Sequence, residues 1–226
     1  QCFSQNHTIP GDVKSLYPTI INLAVEWEIK GDDNKNGEVS VKFRQSGSRK
    51  WKTGMPLRRI PSGVNNTALS FEEVIPGYNG YSWTNKYSGS LFNLKPDTRY
   101  QIKLQLKDPD GGAEVRIIEA KTRPVPQINE RANIIEISPG IYDTLHTESG
   151  TPDRPNVYRC AKGKAQFRYI DVQNRHWVHI EGIAVKNLSN EGRGICLTGA
   201  SNCVVSTCTI DAVWGIVAYL PGAVNC

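Results

Sequence analysis

The amino-acid sequence predicts an all-β chain in which an antiparallel sandwich is followed by a short parallel β-helix. Between residues 18 and 122, short alternating or apolar stretches are separated by turn clusters, which is typical of a sandwich. Near the end of the chain, residues 199–203 (GASNC) return after 23 residues as residues 222–226 (GAVNC). A return of this length, with small turn residues before an apolar strand, indicates the stacked coils of a β-helix.

The totals set broad limits. The chain has 226 residues and a formal net charge of +5, so it is long enough for two domains and is mildly basic, which suits an acidic polysaccharide as a partner. No run of Lys and Arg has the density of a nucleic-acid groove, so we expect no nucleic-acid partner. No apolar stretch approaches about 18 residues, so we expect no membrane span. The expected organisation is an N-terminal arm (1–17), a sandwich (18–123), a linker (124–132) and a β-helix (133–226) that is incomplete at its C-terminal end.

Five strand candidates support the prediction of a sandwich. The clearest strand candidates are residues 20–29, 38–44, 88–92, 100–106 and 113–120. In the first of them, Trp27 supplies a large ring to fill the space between two sheets. The segment 32–37 (DDNKNG) allows a calcium loop or an inter-strand turn; Phe43 stands where a calcium loop needs a bidentate carboxylate, which favours the turn.

The most specific motif is LKPDTRY at residues 94–100. Leu94, Pro96, Thr98 and Tyr100 resemble the L-x-P-x-T-x-Y signature of fibronectin type III modules, in which the Tyr hydroxyl closes a corner onto nearby backbone. The resemblance implies a fibronectin type III-like sandwich. Such a module presents or spaces other domains and carries no reaction by itself.

Aromatic residues cluster in a long insertion between the strands of the sandwich. Tyr78, Tyr81, Trp83 and Tyr87 lie among Gly, Ser and Asn. Such rings suit packing against the neighbouring domain, contact with a glycan, or contact with a partner subunit. The sequence leaves the three alternatives open. Beyond the sandwich, Pro124 and Pro126 stiffen the passage to the second half.

The coils of the second half can be aligned. Residues 178–185 (VHIEGIAV) precede residues 203–210 (CVVSTCTI) by 25 positions, and Cys226 follows Cys203 by 23. The alignment predicts inward stacks of Val178 on Cys203, Ile180 on Val205, Ile183 on Cys208, and Val185 on Ile210. Residues 194–197 (GICL) and 215–218 (GIVA) are predicted to form another face of the same coils.

The entry to this half has a recognisable pattern. The motif I-x-x-x-P-G-x-Y at residues 135–142, followed by GTPDRP at residues 150–155, resembles secreted right-handed parallel β-helix proteins of the pectin-lyase-like and chondroitinase-B-like families. The order of the two modules, together with EWEIKGDDN at residues 26–34, resembles the N-terminal part of large bacterial extracellular β-helix proteins. These resemblances imply an extracellular or cell-surface location.

Cysteines and sequons add expectations about covalent chemistry. Cysteines stand at positions 2, 160, 196, 203, 208 and 226, and six cysteines allow about fifteen pairings. For Cys203 and Cys226, a ladder of buried thiols and a disulfide are both open, and Cys2 with Cys226 is a second candidate disulfide. No Cys-x-x-Cys pair occurs, so no metal and no other cofactor is expected. Candidate N-glycosylation sites are Asn6, Asn65 and Asn187.

A catalytic site is not evident in the sequence. A β-helix lyase needs a base and cationic groups, and a hydrolase needs paired carboxylates. Candidate residues of these types are Lys162, Lys164, Arg168, Arg175, Lys186, Arg193, His176, His179, Asp171, Glu181, Glu191 and Asp211. They are dispersed and form no recognisable constellation.

The functional expectation follows from the last coil. If its strand begins at Cys226, its backbone groups and apolar face await a partner, and Cys203, Val205, Cys208, Ile210 and Cys226 form the stacking interface. We therefore expect a secreted, non-catalytic structural protein that self-associates end to end into a filament or surface layer. The alternative is the N-terminal portion of a larger β-helix polysaccharide lyase or carbohydrate-binding protein.

Overall fold

The computed structural model describes residues 5–65, 81–190, 192–218 and 223–226, and these residues contain strands and no helix. The chain divides into two compact units, Gln1–Val125 and Pro126–Cys226. The first unit contains antiparallel sheets and the second a parallel β-solenoid of about three turns. The predicted all-β class is confirmed.

The described residues of the first unit form ten strands. They are β1 (Thr8–Lys14), β2 (Leu23–Gly31), β3 (Glu38–Gln45), β4 (Lys52–Thr53), β5 (Arg58–Ile60), β6 (Gly63–Asn65), β7 (Tyr81–Trp83), β8 (Lys86–Leu91), β9 (Arg99–Lys107) and β10 (Ala113–Lys121). One four-stranded sheet has the order β1-β2-β8-β5 and the other the order β10-β9-β3-β4, while β6 pairs with β7.

The two four-stranded sheets share one hydrophobic core. On β2 every second side chain is buried, with Trp27 at 0% exposure, and β9 buries Tyr100, Ile102, Leu104 and Leu106 in the same alternation. Alternation of this kind turns one face of each sheet toward the other. The Tyr100 hydroxyl accepts a hydrogen bond from the Lys95 amide at 2.9 Å, which closes the corner before β9.

The N-terminal segment differs from the expectation of an arm. Residues 8–14 form β1, which pairs with β2 and shows a register irregularity between Pro10 and Val13. Pro10 and Gly11 break the local strand pattern, so only the pairing partner reveals this edge strand. The structure therefore places part of the predicted arm within the sandwich sheet.

In the second unit, the part of the chain that the structure describes forms another ten strands. They are β11 (Asn133–Glu136), β12 (Gly140–His146), β13 (Asn156–Arg159), β14 (Ala165–Asp171), β15 (Val178–Glu181), β16 (Ala184–Asn187), β17 (Ile195–Cys196), β18 (Val204–Ser206), β19 (Thr209–Ala212) and β20 (Ile216–Val217). One parallel sheet has the order β11-β13-β15-β18. In the other, β12 and β16 flank β14, β17 continues beside β14, and β19 and β20 pair with β16 and β17.

The predicted register of the coils is confirmed. Ile180 pairs with Val205, and Val185 pairs with Ile210. Ile195 pairs with Ile216, as the alignment of the second face predicts. Because inward side chains then stack on their equivalents in the next coil, the interior becomes a set of apolar rows.

Candidate functional site: the open edge of the last coil

Both solenoid sheets end at the last coil, which comprises residues 204–218 and 223–226. β18 is the final strand of one sheet, and β19 and β20 are the final strands of the other. Across the described ranges of the chain, no strand pairs with the far side of these three strands. We call this side the open edge. A sheet edge presents unpaired backbone donors and acceptors to whatever approaches it.

The apolar rows lose their cover at the open edge. Ile180 is completely buried, but its row ends at Val205, which is only half-buried. The row of Ile195 shows the largest change, because Ile195 is 0% exposed and Ile216 is 48% exposed. Cys208 and Ile210 are likewise half-buried, although they pack toward the solenoid core. The rows of inward-facing apolar side chains therefore continue to the open edge, where no further coil of the described residues covers them.

The thiols of Cys203, Cys208 and Cys226 near the open edge are free. Cys203 is buried, and burial raises the pKa of its thiol to about 11. Its Sγ donates to the Ser201 carbonyl at 3.4 Å, while the Cys208 Sγ donates to the Ser206 carbonyl at 3.3 Å. Cys226 is exposed and lies beside Cys203. Cys2 lies outside the described residues, so a disulfide between Cys2 and Cys226 stays a prediction.

A polar row accompanies the thiols. The Asn225 side chain donates to Asn202 Oδ1 at 2.6 Å, and Ser201 bridges to Val224 in parallel register. Trp177, Asn202 and Asn225 occupy equivalent positions and have φ angles of 57°, 54° and 54°. Each coil therefore turns through the left-handed region at the same place, and Asn tolerates that conformation better than most residues.

The residues considered for catalysis have structural partners. Arg168 donates twice to Asp143, and the Arg175 Nε donates to the Thr147 carbonyl at 2.8 Å. His176 and His179 hydrogen-bond the hydroxyls of Ser201 and Ser206. Burial lowers the pKa of His179. Glu191 lies outside the described residues. The structure does not bring these groups together around one position.

Other candidates are also dispersed. Lys162 and Lys164 are exposed in the turn before β14, and Lys186 stands beside Asp211 in register. Asp171 lies 3.7 Å from the exposed His146 ring. Glu181 pairs in register with Arg159 and Ser206. Within the described part of the chain, no group of three or more His, Cys, Asp or Glu is placed to hold a metal ion.

The aromatic cluster of the sandwich is divided by the fold. Tyr87 is 1% exposed, and its hydroxyl donates to Asp32 Oδ2 at 2.9 Å. Tyr87 is therefore a core residue, and its predicted role as a glycan or partner contact is wrong. The Trp83 indole donates to the Pro61 carbonyl at 2.7 Å. Tyr81 lies in β7, and Tyr78 lies outside the described residues.

The three sequons also differ in setting. Asn6 is exposed, and Asn65 lies in β6. Asn187 is 5% exposed, and its Nδ2 donates to the Arg193 carbonyl at 2.9 Å, while its Oδ1 accepts from the Ser189 hydroxyl at 2.9 Å. The predicted glycosylation of Asn187 is therefore wrong for the folded chain, because its side chain closes the loop between β16 and β17.

The sandwich contains a buried charged cluster that no sequence motif predicts. Asp32 is 0% exposed and accepts from Arg59 Nε at 2.5 Å, from the Tyr87 hydroxyl, and from the Gly37 amide at 3.2 Å. Arg59 and Tyr87 are 27 and 55 residues away along the chain, so no local motif announces them. The segment 32–37 is thus an inter-strand turn whose first carboxylate faces the protein interior.

No family model matches this chain, and no curated protein matches it. Among solved structures, a myokine is 14% identical, with 52% of this chain and 98% of that chain covered and a TM-score of 0.33. A computationally redesigned β-sandwich is 13% identical over 52% of this chain and 96% of its own, with a TM-score of 0.29. The family 28 exopolygalacturonase of Yersinia enterocolitica is 13% identical, with 92% of this chain and 57% of that enzyme covered and a TM-score of 0.33. Likenesses this weak carry no argument about function.

In the ranges that the structure describes, no helix is long and apolar enough to pass through a bilayer.

Proposed function

We propose that the protein is a secreted, non-catalytic structural protein whose solenoids join end to end, so that copies form an extracellular filament or surface layer. The observation that carries the proposal is the open edge, where three inward rows end on half-buried or exposed apolar side chains. A further parallel coil placed there extends the sheets and covers these rows.

The first coil of a second copy has the chemistry that such a joint needs. Its inward positions are Ile135, Tyr142 and Leu145, which head the rows that end at Val205, Ile210 and Ile216. Tyr142 is 38% exposed at this end of its own solenoid and stacks on Phe167 with ring centroids 4.9 Å apart. Stacking the first coil of one copy on the last coil of another therefore continues each row with an apolar residue.

The geometry of such a joint favours a chain of copies. The two surfaces are different faces of the same molecule, so the contact is head to tail, and a head-to-tail contact that does not close generates a filament. The sandwich serves as a spacer in this proposal. Its strand order, with the corner closed by Tyr100, supports a fibronectin type III-like module, and such modules carry no reaction by themselves.

Charge makes the joint sensitive to salt. On the outward side of the second sheet, Arg168 donates to Asp143, and Lys186 pairs in register with Asp211. Asp143 follows Tyr142 and Asp211 follows Ile210, so a second copy that stacks its Tyr142 on Ile210 brings its Asp143 beside Asp211. The hydrogen bond from Arg168 lowers the pKa of Asp143 to about 2, so this carboxylate is charged at neutral pH. Because added salt screens like charges at an exposed contact, association rises with ionic strength under the proposal.

The alternative function assigns a different partner to the open edge. If this region is the N-terminal portion of a larger polysaccharide lyase or carbohydrate-binding protein, a coil of the same polypeptide covers the open edge. The intact mass of the protein from its native source distinguishes the two. A mass well above 25.1 kDa that glycans do not explain supports the alternative function.

The decisive experiment is sedimentation velocity at increasing protein concentration with a matched pair of variants. Ile216→Glu places a charge in an exposed row at the open edge, whereas Ile21→Glu makes the same change at a residue that is 45% exposed in the sandwich. We expect the wild type and Ile21→Glu to form growing oligomers and Ile216→Glu to associate about tenfold more weakly. Monomers at every concentration, or equal association of both variants with unchanged melting curves, contradict the proposal.

A further inference from the structure

The outer face of one sandwich sheet carries cationic side chains that the proposed function does not use. On β3 and β9 the buried residues are Val39, Val41, Ile102 and Leu104, so the alternate residues point away from the core. On β10, Ile118 and Ala120 pack against the core, so Val115 and Ile117 also lie on the outer face. We call this surface the lysine face and define it by Lys42, Lys103, Arg44, Gln101, Gln105 and Ile117.

Two like charges stand side by side at its centre. Lys42 and Lys103 are directly opposite each other on β3 and β9. Neither lysine forms an ion pair with the residues that the structure describes. Like charges in directly opposite positions repel, so this pair weakens the sheet unless an anion lies across it.

An arginine beside the lysines is held in a fixed orientation. The Arg44 Nε donates to Gln101 Oε1 at 2.9 Å, and the guanidinium lies 4.3 Å from the centre of the Trp51 ring. Gln101 Nε2 in turn donates to Glu119 Oε1 at 3.1 Å, so the amide connects the arginine to a carboxylate across the sheet. The remaining N–H groups of Arg44 are therefore preorganised for a carboxylate partner.

The third strand adds apolar surface to the same rows. Ile117 is opposite Lys103 and is 57% exposed, and Val115 is opposite Gln105 and is 50% exposed. A surface with ammonium groups, a fixed guanidinium, amides and exposed aliphatic groups matches a ligand with regularly spaced carboxylates and apolar C–H faces. A chain of uronic acid sugars has both features, whereas a neutral glycan lacks the charge.

We propose that the lysine face binds acidic polysaccharide through Lys42, Lys103 and Arg44, with the sugar rings against Ile117 and Val115. This inference is independent of end-to-end association, because it concerns the first unit and the open edge belongs to the second. The ammonium groups supply the affinity, and the Arg44 fork and the aliphatic side chains orient the chain.

The test uses calorimetric titration of the full chain with alginate, with neutral dextran as the control polymer. The variant Lys42→Gln with Lys103→Gln removes the central charges, and Lys162→Gln with Lys164→Gln removes the same net charge from an exposed turn of the second unit. We expect the first pair to weaken alginate binding by about tenfold or more and the second to change it by less than about twofold.

Four results overturn the inference. These are no binding of alginate, equal binding of dextran, an equal loss in both variants, and tighter binding of single-stranded DNA than of alginate. Melting curves that match the wild type establish that both variants are folded. The sedimentation experiment on Ile216→Glu is unaffected by these results, so failure of one proposal leaves the other to be judged separately.

Discussion

Asp32 is the residue on which the polar interior of the sandwich depends. Its carboxylate is completely buried and receives hydrogen bonds from Arg59, Tyr87 and Gly37. Burial disfavours the charge, but these donors outweigh it and hold the pKa of Asp32 below its ordinary value. A buried ion pair of this kind contributes little relative to an apolar replacement, but removing one partner is costly because the other charge stays buried.

Asp32→Asn tests this at the residue scale. The Arg59 side chain is 11% exposed, so the variant leaves a largely buried guanidinium without its counter-charge, and we expect a loss of about 3 kcal/mol in the free energy of unfolding at pH 7. The measurement is urea denaturation. Glu28→Gln is the matched control, because it removes a carboxylate from an ion pair with Lys14 that is exposed on both sides, and it changes stability little.

The stability difference between the wild type and Asp32→Asn is expected to depend on pH. The folded pKa of Asp32 lies below its ordinary value of 3.8, so the ionised carboxylate stabilises the fold above that value. This contribution is lost as the pH falls through the depressed folded pKa. We therefore expect the wild type and Asp32→Asn to converge in stability on acidification below the ordinary value. A difference between them that stays constant down to the acid transition contradicts this reading.

Tyr100→Phe tests the corner before β9. The variant removes the acceptor for the Lys95 amide while keeping the buried ring, which is 6% exposed. A backbone donor left without a partner costs about 1–3 kcal/mol, so we expect a loss of that size in the free energy of unfolding. Tyr17→Phe, at a residue that is 87% exposed, is the control for the chemical change and should be neutral.

Residues that act locally could be predicted from the sequence, and residues that act through distant partners could not. The corner residue Tyr100 lies within a seven-letter motif, and its hydrogen bond reaches back five positions. Asp32 looked like a turn residue because its neighbours in sequence are turn residues. Its burial is decided by Arg59 on β5 and Tyr87 on β8, and only the pairing of those strands brings them together.

At the scale of elements, the solenoid is set by repeated turns as much as by strands. Gly182 follows β15 with a φ of 65°, and the equivalent residue after β18 is Thr207 with a φ of 53°. The spacing of 25 residues predicted this equivalence, because the same offset relates Ile180 to Val205. The edge strand β1 was missed because Pro10 and Gly11 interrupt its alternation.

Thr207→Gly tests the turn. A β-branched residue in the left-handed region is strained by about 1–2 kcal/mol, and Thr207 is exposed, so we expect the variant to raise the free energy of unfolding by about 1 kcal/mol. Gly182→Thr is the reciprocal change. A Cβ built at Gly182 meets only the Thr207 hydroxyl, at 4.0 Å, so the Cβ itself has room and the left-handed backbone conformation gives the expected cost. We expect Thr207→Gly to raise the free energy of unfolding and Gly182→Thr to lower it. A change in the same direction for both variants contradicts this expectation.

At the scale of the whole molecule, the two units present different kinds of surface to a partner. The sandwich covers its core with two sheets, so what it offers is an outer face. The solenoid buries each coil against its neighbours, so its terminal coil offers an interior surface instead. End-to-end association is proposed because covering the terminal coil of the solenoid removes more apolar surface from water than covering the outer face of the sandwich.

Hydrogen exchange at the open edge tests end-to-end association most directly. The amides of β18 and β19 are followed by mass spectrometry in dilute and in concentrated protein, with β9 at the centre of the sandwich as the internal reference. We expect exchange at Val204–Ser206 and Thr209–Ala212 to slow as concentration rises, while β9 stays unchanged. Exchange at these two strands that is the same at every concentration contradicts the account.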